Sequence, residues 1–195
     1  MLSEEELLKR SLDSFCGTRF KRPESVIVAD IGYIEGFEMS NAKYVTNLDA
    51  ATFQSKGDGA KFEYGYSRIG TAIGLKKLGC GLFVVPPGKC AFPYHAHSSI
   101  EEMCILLEGE GTLRQNNIEQ SIRAGDVIAS KITEAHQIIN TSDQDLRYLV
   151  ISNNEPVDVV HYPDSDKILA ASMVFDEPIL HITRRSAGTD YYDGE

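Results

Sequence analysis

Gly88-Lys-Cys-Ala-Phe-Pro-Tyr-His95-Ala-His97-Ser-Ser-Ile-Glu-Glu102-Met-Cys-Ile-Leu-Leu-Glu-Gly109 is the stretch on which the fold turns. Alternate side chains of an extended segment point to one face, so His95 and His97 project together. Pro93 just before them favours extended backbone. Ser98-Ser99 supplies a turn, and Glu102, at the head of the next apolar run, can swing back toward the imidazoles. His136 opens a further short run after an intervening hairpin and has to approach from across a barrel.

Two histidines on one strand say little by themselves. His95, His97, Glu102 and His136 together are three neutral imidazoles and one carboxylate, a ligand set for a divalent transition metal. Four ligands from three strands leave one or two coordination positions open, which separates a reactive site from a structural one. Ligand type alone admits Fe, Mn, Zn, Ni or Co and does not choose among them.

Working outward, the block from Lys61 is a series of short apolar or alternating runs. These are Lys61–Tyr66, Leu78–Val85, Ala91–His97, Met103–Leu107, Gly111–Gln115, Ile118–Ile122, Val127–Ser130, His136–Asn140 and Leu146–Ser152. Turn residues punctuate them at Pro86-Pro-Gly88, Gly109, Asn116-Asn117, Ala124-Gly-Asp126 and Ser142-Asp143. Many short strands with frequent turn signals indicate an all-β sandwich or barrel. Val157–Tyr162, Ile168–Phe175 and Ile179–Thr183 extend the pattern, either within the barrel or toward a neighbouring subunit. Upstream, Ser3-Glu-Glu-Glu6 reads as a capping box for a short helix ending at Gly17, with Leu8, Leu12 and Phe15 on one face. Val26–Ala29 reads as a strand and Gln54–Gly59 as a loop. The expected organisation is an N-terminal extension over 1–60, a barrel over 61–155, and a C-terminal extension over 156–195 within the same domain.

The bulk composition narrows the function. Nineteen basic residues stand against twenty-nine acidic ones, a net charge of −10. That balance argues against nucleic acid, whose binding rests on Lys and Arg neutralising phosphates, and against anionic membrane surfaces. No apolar run approaches the roughly 18 residues a membrane span needs. The acidic N-terminus lacks the basic-then-apolar pattern of a signal peptide, so a cytoplasmic location is expected. Cys16, Cys80, Cys90 and Cys104 form no CxxC pair and are expected to be reduced thiols, with Cys90 the one near the histidines.

The order Gly88, His95, His97, Glu102, Gly109, followed by Gly125, His136 and Asn140, resembles the two motifs of the cupin family. One residue more than usual separates Gly88 from His95. In the second motif Lys131 and Thr133 stand where the family carries proline and glycine, which places the local turn in question rather than the ligand. The likeness covers Leu75 to Ser152 and is nearest to single-barrel (monocupin) bacterial members. It implies a double-stranded β-helix, or jelly-roll, barrel with the metal inside and a homodimer as the usual assembly. It does not imply one reaction, because one fold hosts many functions.

Within such a barrel, Cys104 and Leu106 share the parity of Glu102 and are expected to face the interior and line the cavity; Tyr94 and Phe92, beside the histidines, are candidates to shape its mouth, packing being their plainer reading. Met103, Ile105 and Leu107 are also apolar, so this strand is expected to be covered on both faces. Glu134 shares the parity of His136 and is the one candidate for a second cavity carboxylate; a solvated turn residue is its plainer reading. His161 and His181 lie outside the motifs. The expected function is metal-dependent action on a small polar or anionic metabolite, of dioxygenase or sugar-isomerase/epimerase type. The alternative is a metal-dependent binding or sensing protein without turnover. No helix-turn-helix pattern supports DNA binding.

Overall fold

The computed structural model describes residues 44–195. The helix expected up to Gly17, the Val26–Ala29 strand and Cys16 lie outside the described residues.

Thirteen strands run through the described residues. The first five are β1 (Gln54–Gly57), β2 (Glu63–Arg68), β3 (Leu78–Val85), β4 (Ala96–His97) and β5 (Glu102–Glu108). Then follow β6 (Glu110–Gln115), β7 (Ile118–Arg123), β8 (Val127–Ser130), β9 (His136–Ile139) and β10 (Leu146–Asn153). The C-terminal part adds β11 (Val157–Tyr162), β12 (Lys167–Ser172) and β13 (Ile179–Arg184). The architecture is all-β, a jelly-roll barrel. A six-stranded sheet in the order β1-β2-β3-β10-β5-β8 faces a three-stranded sheet, β7-β6-β9. The C-terminal strands form a third sheet, β13-β12-β11-β4. They therefore join the barrel through β4, the short strand that carries His97.

Alternation builds the core. Phe83 and Val85 of β3, Cys104 and Leu106 of β5, and Leu146 and Tyr148 of β10 point inward from the large sheet. Leu113, Ile122 and Ile138 meet them from the small one. Rings dominate one end: Phe83 stacks on Tyr148 with centroids 5.4 Å apart, and Phe92 contacts Phe83 and Tyr64 at 5.4 and 5.2 Å. Such pairs contribute about 0.5–1.5 kcal/mol beyond their burial.

Turns follow the residues that permit them. Gly109 adopts φ +82°, and a Cβ there would lie 2.5 Å from the carbonyl oxygen of Asp145, so only glycine fits between β5 and β6. Asn116 and Asn117 both have positive φ, as a two-residue hairpin between β6 and β7 requires. The turn before His136 keeps a left-handed residue although glycine is missing: Thr133 takes φ +68°, and its N–H donates to the His97 carbonyl at 2.8 Å.

Two expectations need correction. Gln54–Gly57 is a strand, not a loop; its residues are polar and mostly exposed because β1 is a sheet edge, so no apolar alternation marks it. Ala91–His97 is largely irregular, with only Ala96–His97 in a ladder. On the outward face of β5, Met103 is 39% exposed, while Ile105 and Leu107 are half-buried; the N-terminal segment expected as one possible cover lies outside the described residues.

Candidate metal centre

The short strand β4, the head of β5 and the head of β9 converge at one end of the barrel. His95 and His136 form an isolated antiparallel bridge, each backbone N–H donating to the other's carbonyl at 3.1 and 2.8 Å. That bridge holds the two imidazoles with centroids 4.6 Å apart. His97 lies 5.0 Å from the His95 ring. Glu102 enters from β5 between Ser130 of β8 and Ser152 of β10, its direct neighbours in register. His95, His97 and His136 are buried, and Glu102 is 9% exposed.

Donor atoms of His95, His97 and Glu102 all lie within 4.8 Å of one another. His136 joins through Glu102, with Nε2 2.8 Å from Oε2. Each imidazole has its other nitrogen engaged. His95 Nδ1–H donates to the Pro93 carbonyl at 2.8 Å, and His136 Nδ1–H to the Glu134 carbonyl at 3.1 Å. His97 Nδ1–H donates to Asp158 Oδ2 at 2.6 Å. Carbonyls and carboxylates only accept, so these contacts assign the Nδ1 proton in all three rings and leave Nε2 for the cluster.

Whether these residues suit a divalent ion is testable on the polar atoms. His97 Nε2 is buried without a hydrogen-bond partner among the described residues, 3.9 Å from Glu102 Oε1. A buried polar atom left unpaired is rare and costs roughly 1–3 kcal/mol. A cation among the Nε2 atoms and Glu102 would satisfy it, so the donor set fits.

Electrostatics reinforce the arrangement. Burial disfavours charge on Glu102, yet the His136 hydrogen bond and the neighbouring imidazoles outweigh it and hold its pKa at about 2. Burial, with the adjacent His136 and His97, lowers His95 to about 3, so its imidazole is neutral. For His97, burial pulls the pKa down, but the hydrogen bond to Asp158 and the charge of Glu102 raise it on balance.

A cavity opens beside the cluster, lined by polar His95, Glu102, His136, Gln137 and Ser152 together with Phe83, Phe92, Cys104, Ile138, Tyr148 and Val150. The space open to the centre of a water molecule is about 30 Å³. That is room for two or three waters at roughly 10–15 Å³ each. Burial pushes the Tyr148 hydroxyl and the Cys104 thiol well above their usual ranges, so both are protonated. A second hollow lies across His95 and His97, walled by Phe92, Pro93, Val160, Tyr162 and Leu169.

Phe92 and Cys104 line the main cavity; Leu106 and Tyr94 do not. Leu106 is 1% exposed in the packed core, two residues deeper along β5. Tyr94 is drawn to the β6–β7 hairpin, where its hydroxyl accepts from Asn117 N–H at 3.1 Å and Arg114 stacks 3.7 Å above its ring. Glu134 is likewise no cavity carboxylate. It sits in the Thr133 turn rather than in β9, and its Oε2 accepts from Gln115 Nε2 at 3.2 Å and Lys131 N–H at 3.3 Å. Cys80, Cys90 and Cys104 form no disulfide; Cys90 is buried and its thiol is raised by that burial. His181 is exposed and His161 half-buried.

Asp158 escaped the sequence reading. Its signal was a lone carboxylate among the valines of Val157–Val160, a charge where an apolar strand residue was due. Tyr148 and Val150 were legible only through their parity on β10.

Comparison with known proteins agrees with the barrel fold. Residues 81–152 match the family described as Cupin domain. A solved structure of a candidate sugar phosphate isomerase from Acidithiobacillus ferrooxidans is similar, with a TM-score of 0.67 and 27% identity. The match covers 76% of this chain and 96% of that one. Auxin-binding protein 1 of Arabidopsis thaliana is 36% identical over 100 residues, 47% of this chain and 50% of that protein. The oxalate-binding protein of Thermotoga maritima is 36% identical over 67 residues, 34% of this chain and 54% of that protein. The chain thus spans about half the length of these two relatives.

Proposed function

We propose, from the match of residues 81–152 to the Cupin domain, that His95, His97, His136 and Glu102 hold one divalent transition metal that binds a small, oxygen-rich anionic metabolite. The observation that carries the reading is the shared arrangement: all three Nδ1 atoms are engaged by oxygen acceptors, which turns three Nε2 atoms toward one ionised carboxylate.

When bound, such an ion acts as a Lewis acid toward substrate oxygens, or as a redox centre if it is iron. The chain's own residues decide what reaches it. Phe83, Phe92, Ile138 and Val150 make the cavity wall apolar and restrict water. Among the described residues no Lys or Arg lines the cavity, so an anionic group is matched at the cluster itself rather than at a separate cationic pocket. The protonated Tyr148 hydroxyl and the Ser152 hydroxyl are among the hydrogen-bond donors available to orient a ligand. The small interior favours a compact ligand. Two of the similar proteins are named for binding oxalate and auxin, both carboxylic acids.

Turnover is the first reading, isomerisation in particular, supported by the likeness to the candidate isomerase over 96% of that structure's length. Binding or sensing without turnover is the second. It is favoured by the protonated state of Tyr148 and Cys104, which equips both to donate hydrogen bonds and neither to take a proton from carbon. The test is to purify the protein, measure bound metal, and assay aldose–ketose isomerisation and O₂ uptake with each metal supplied. Metal at one equivalent with conversion of a sugar or sugar acid supports the first reading. Metal at one equivalent with ligand-induced stabilisation by small carboxylates, but no conversion, supports the second. Absence of metal uptake refutes both.

A further inference from the structure

The C-terminal sheet supplies a residue to the site that neither cupin motif contains. On β11, alternate residues Asp158, Val160 and Tyr162 face the cluster, while Val157 and Val159 are exposed. Val160 lies opposite His97 in the β11–β4 ladder. The Tyr162 ring lies over His95 with centroids 6.1 Å apart and planes inclined by 26°. Asp158 is 1% exposed, and its two oxygens are divided between separate tasks. Oδ1 accepts the backbone N–H of Ser98, the backbone N–H of Ser99 and the Ser98 hydroxyl, each at 3.0 Å, while the Ser99 hydroxyl, 2.9 Å from Oδ1, donates to the Val157 carbonyl at 2.6 Å. Oδ2 accepts Nδ1–H of His97 at 2.6 Å.

We propose that Asp158 is a positioning residue of the metal centre: anchored by the Ser98-Ser99 turn, it fixes the tautomer and ring orientation of His97 and so aims the Nε2 lone pair into the cluster. The carboxylate is rigid because three donors hold Oδ1, so Oδ2 has one place to be. The imidazole it holds then has one tautomer available, and the unpartnered buried atom is Nε2. Carboxylate–histidine pairs behind a metal raise ligand basicity, and their loss lowers metal affinity by roughly 10–100-fold. The C-terminal strand thereby becomes part of the site rather than a cover over it. The proposal rests on the metal reading of the cluster.

Asp158→Asn is the test. Its Oδ1 still accepts from Ser98 and Ser99, while its amide N–H₂ now faces Nδ1 of His97. That donor requires an acceptor at Nδ1, moving the proton to Nε2 and removing the metal lone pair. Two quantities are read on the full chain. Ring ¹⁵N shifts of His97 in metal-free protein, at a pH above the imidazole range, report the tautomer. Competition with a chromophoric chelator reports Zn²⁺ affinity. The wild type is expected to carry the proton on Nδ1, and Asp158→Asn on Nε2 with Zn²⁺ affinity down roughly 10–100-fold. A wild-type His97 protonated on Nε2 overturns the proposal without any variant having to fold. So does a folded Asp158→Asn with unchanged Zn²⁺ affinity. Failure of the wild type to bind Zn²⁺ or any other metal overturns the metal reading instead, and the tautomer still judges the Asp158 contact.

Discussion

His136 Nε2 stands 2.8 Å from Glu102 Oε2 while the same ring's Nδ1–H donates to the Glu134 carbonyl. With Nδ1 protonated, a neutral ring would turn a lone pair toward the carboxylate. Either a second proton or a cation has to lie between the two atoms. Metal uptake is therefore expected to displace a proton from this pair. Calorimetry of Zn²⁺ binding near neutral pH, in two buffers of different ionisation enthalpy, should give release of about one proton per ion, with affinity falling as pH is lowered. Identical heats in both buffers would contradict this.

Removing a ligand should empty the site and spare the fold. His97→Ala and His136→Ala are each expected to lose most bound metal, because the core of Phe83, Leu106, Leu146 and their neighbours does not run through the cluster. Far-ultraviolet circular dichroism should match the parent, while metal analysis falls toward zero. Metal at full occupancy in His136→Ala would exclude His136 as a ligand.

Acid should weaken the metal-free protein over a defined range. Glu102, buried but held by His136 and the other imidazoles, titrates at about 2 in the fold against 4.5 for a solvated glutamate. Asp158, buried but held by His97 and then the serines, titrates at about 2 against 3.8 for a solvated aspartate. His95, disfavoured by burial and neighbouring imidazoles, titrates at about 3 against 6.5 for a solvated histidine. All three bind fewer protons folded than unfolded, so unfolding takes up protons and stability falls as pH falls. His95 contributes the loss between about 6.5 and 3, and the carboxylates between about 4.5 and 2. His97, whose pKa is raised, acts in the opposite sense: its stabilisation is full below 6.5 and is lost as pH rises through its folded value. Urea midpoints at pH 7, 5 and 3.5 should decrease in that order; a flat profile would refute the assignment.

Thr133→Gly should stabilise the protein. Thr133 is exposed and holds φ +68°, so replacement removes backbone strain and no core packing. Relief of roughly 1–2 kcal/mol, less the 0.5–1 kcal/mol entropic penalty of glycine, predicts a gain of about 0.5–1 kcal/mol. At this size that corresponds to a rise in Tm of about 1–4 °C. A lowered Tm would show that Thr133 makes a contribution its backbone does not reveal.

Much of this was legible before the structure. The strands from Leu78–Val85 to Leu146–Asn153, β4 apart, follow the apolar runs between clear turns, because most of them bury one face. The cluster was legible because His95, His97, Glu102 and His136 carry chemistry unusual for a core. Polar β1 was missed because an edge strand has no buried face to pattern it. Tyr94 and Glu134 fall away from the cavity because neither sits in a regular strand, whereas Leu106 faces inward as its parity predicts. Tyr94 precedes the ladder, Glu134 lies in a left-handed turn, and Leu106 shares the inward face but lies beyond the cavity floor. Asp158 was missed because its partner is 61 residues away in sequence, and no local spacing records that contact.

The central claim is that one ion sits among three Nε2 atoms and Glu102. A crystal of the wild-type protein saturated with Co²⁺, measured across the cobalt absorption edge, tests it most directly. The expected result is a single anomalous peak about 2.0–2.2 Å from Nε2 of His95, His97 and His136 and from a Glu102 oxygen, by analogy with the distances of similar divalent sites. A peak elsewhere, or none at the cluster in a saturated crystal, would contradict the account.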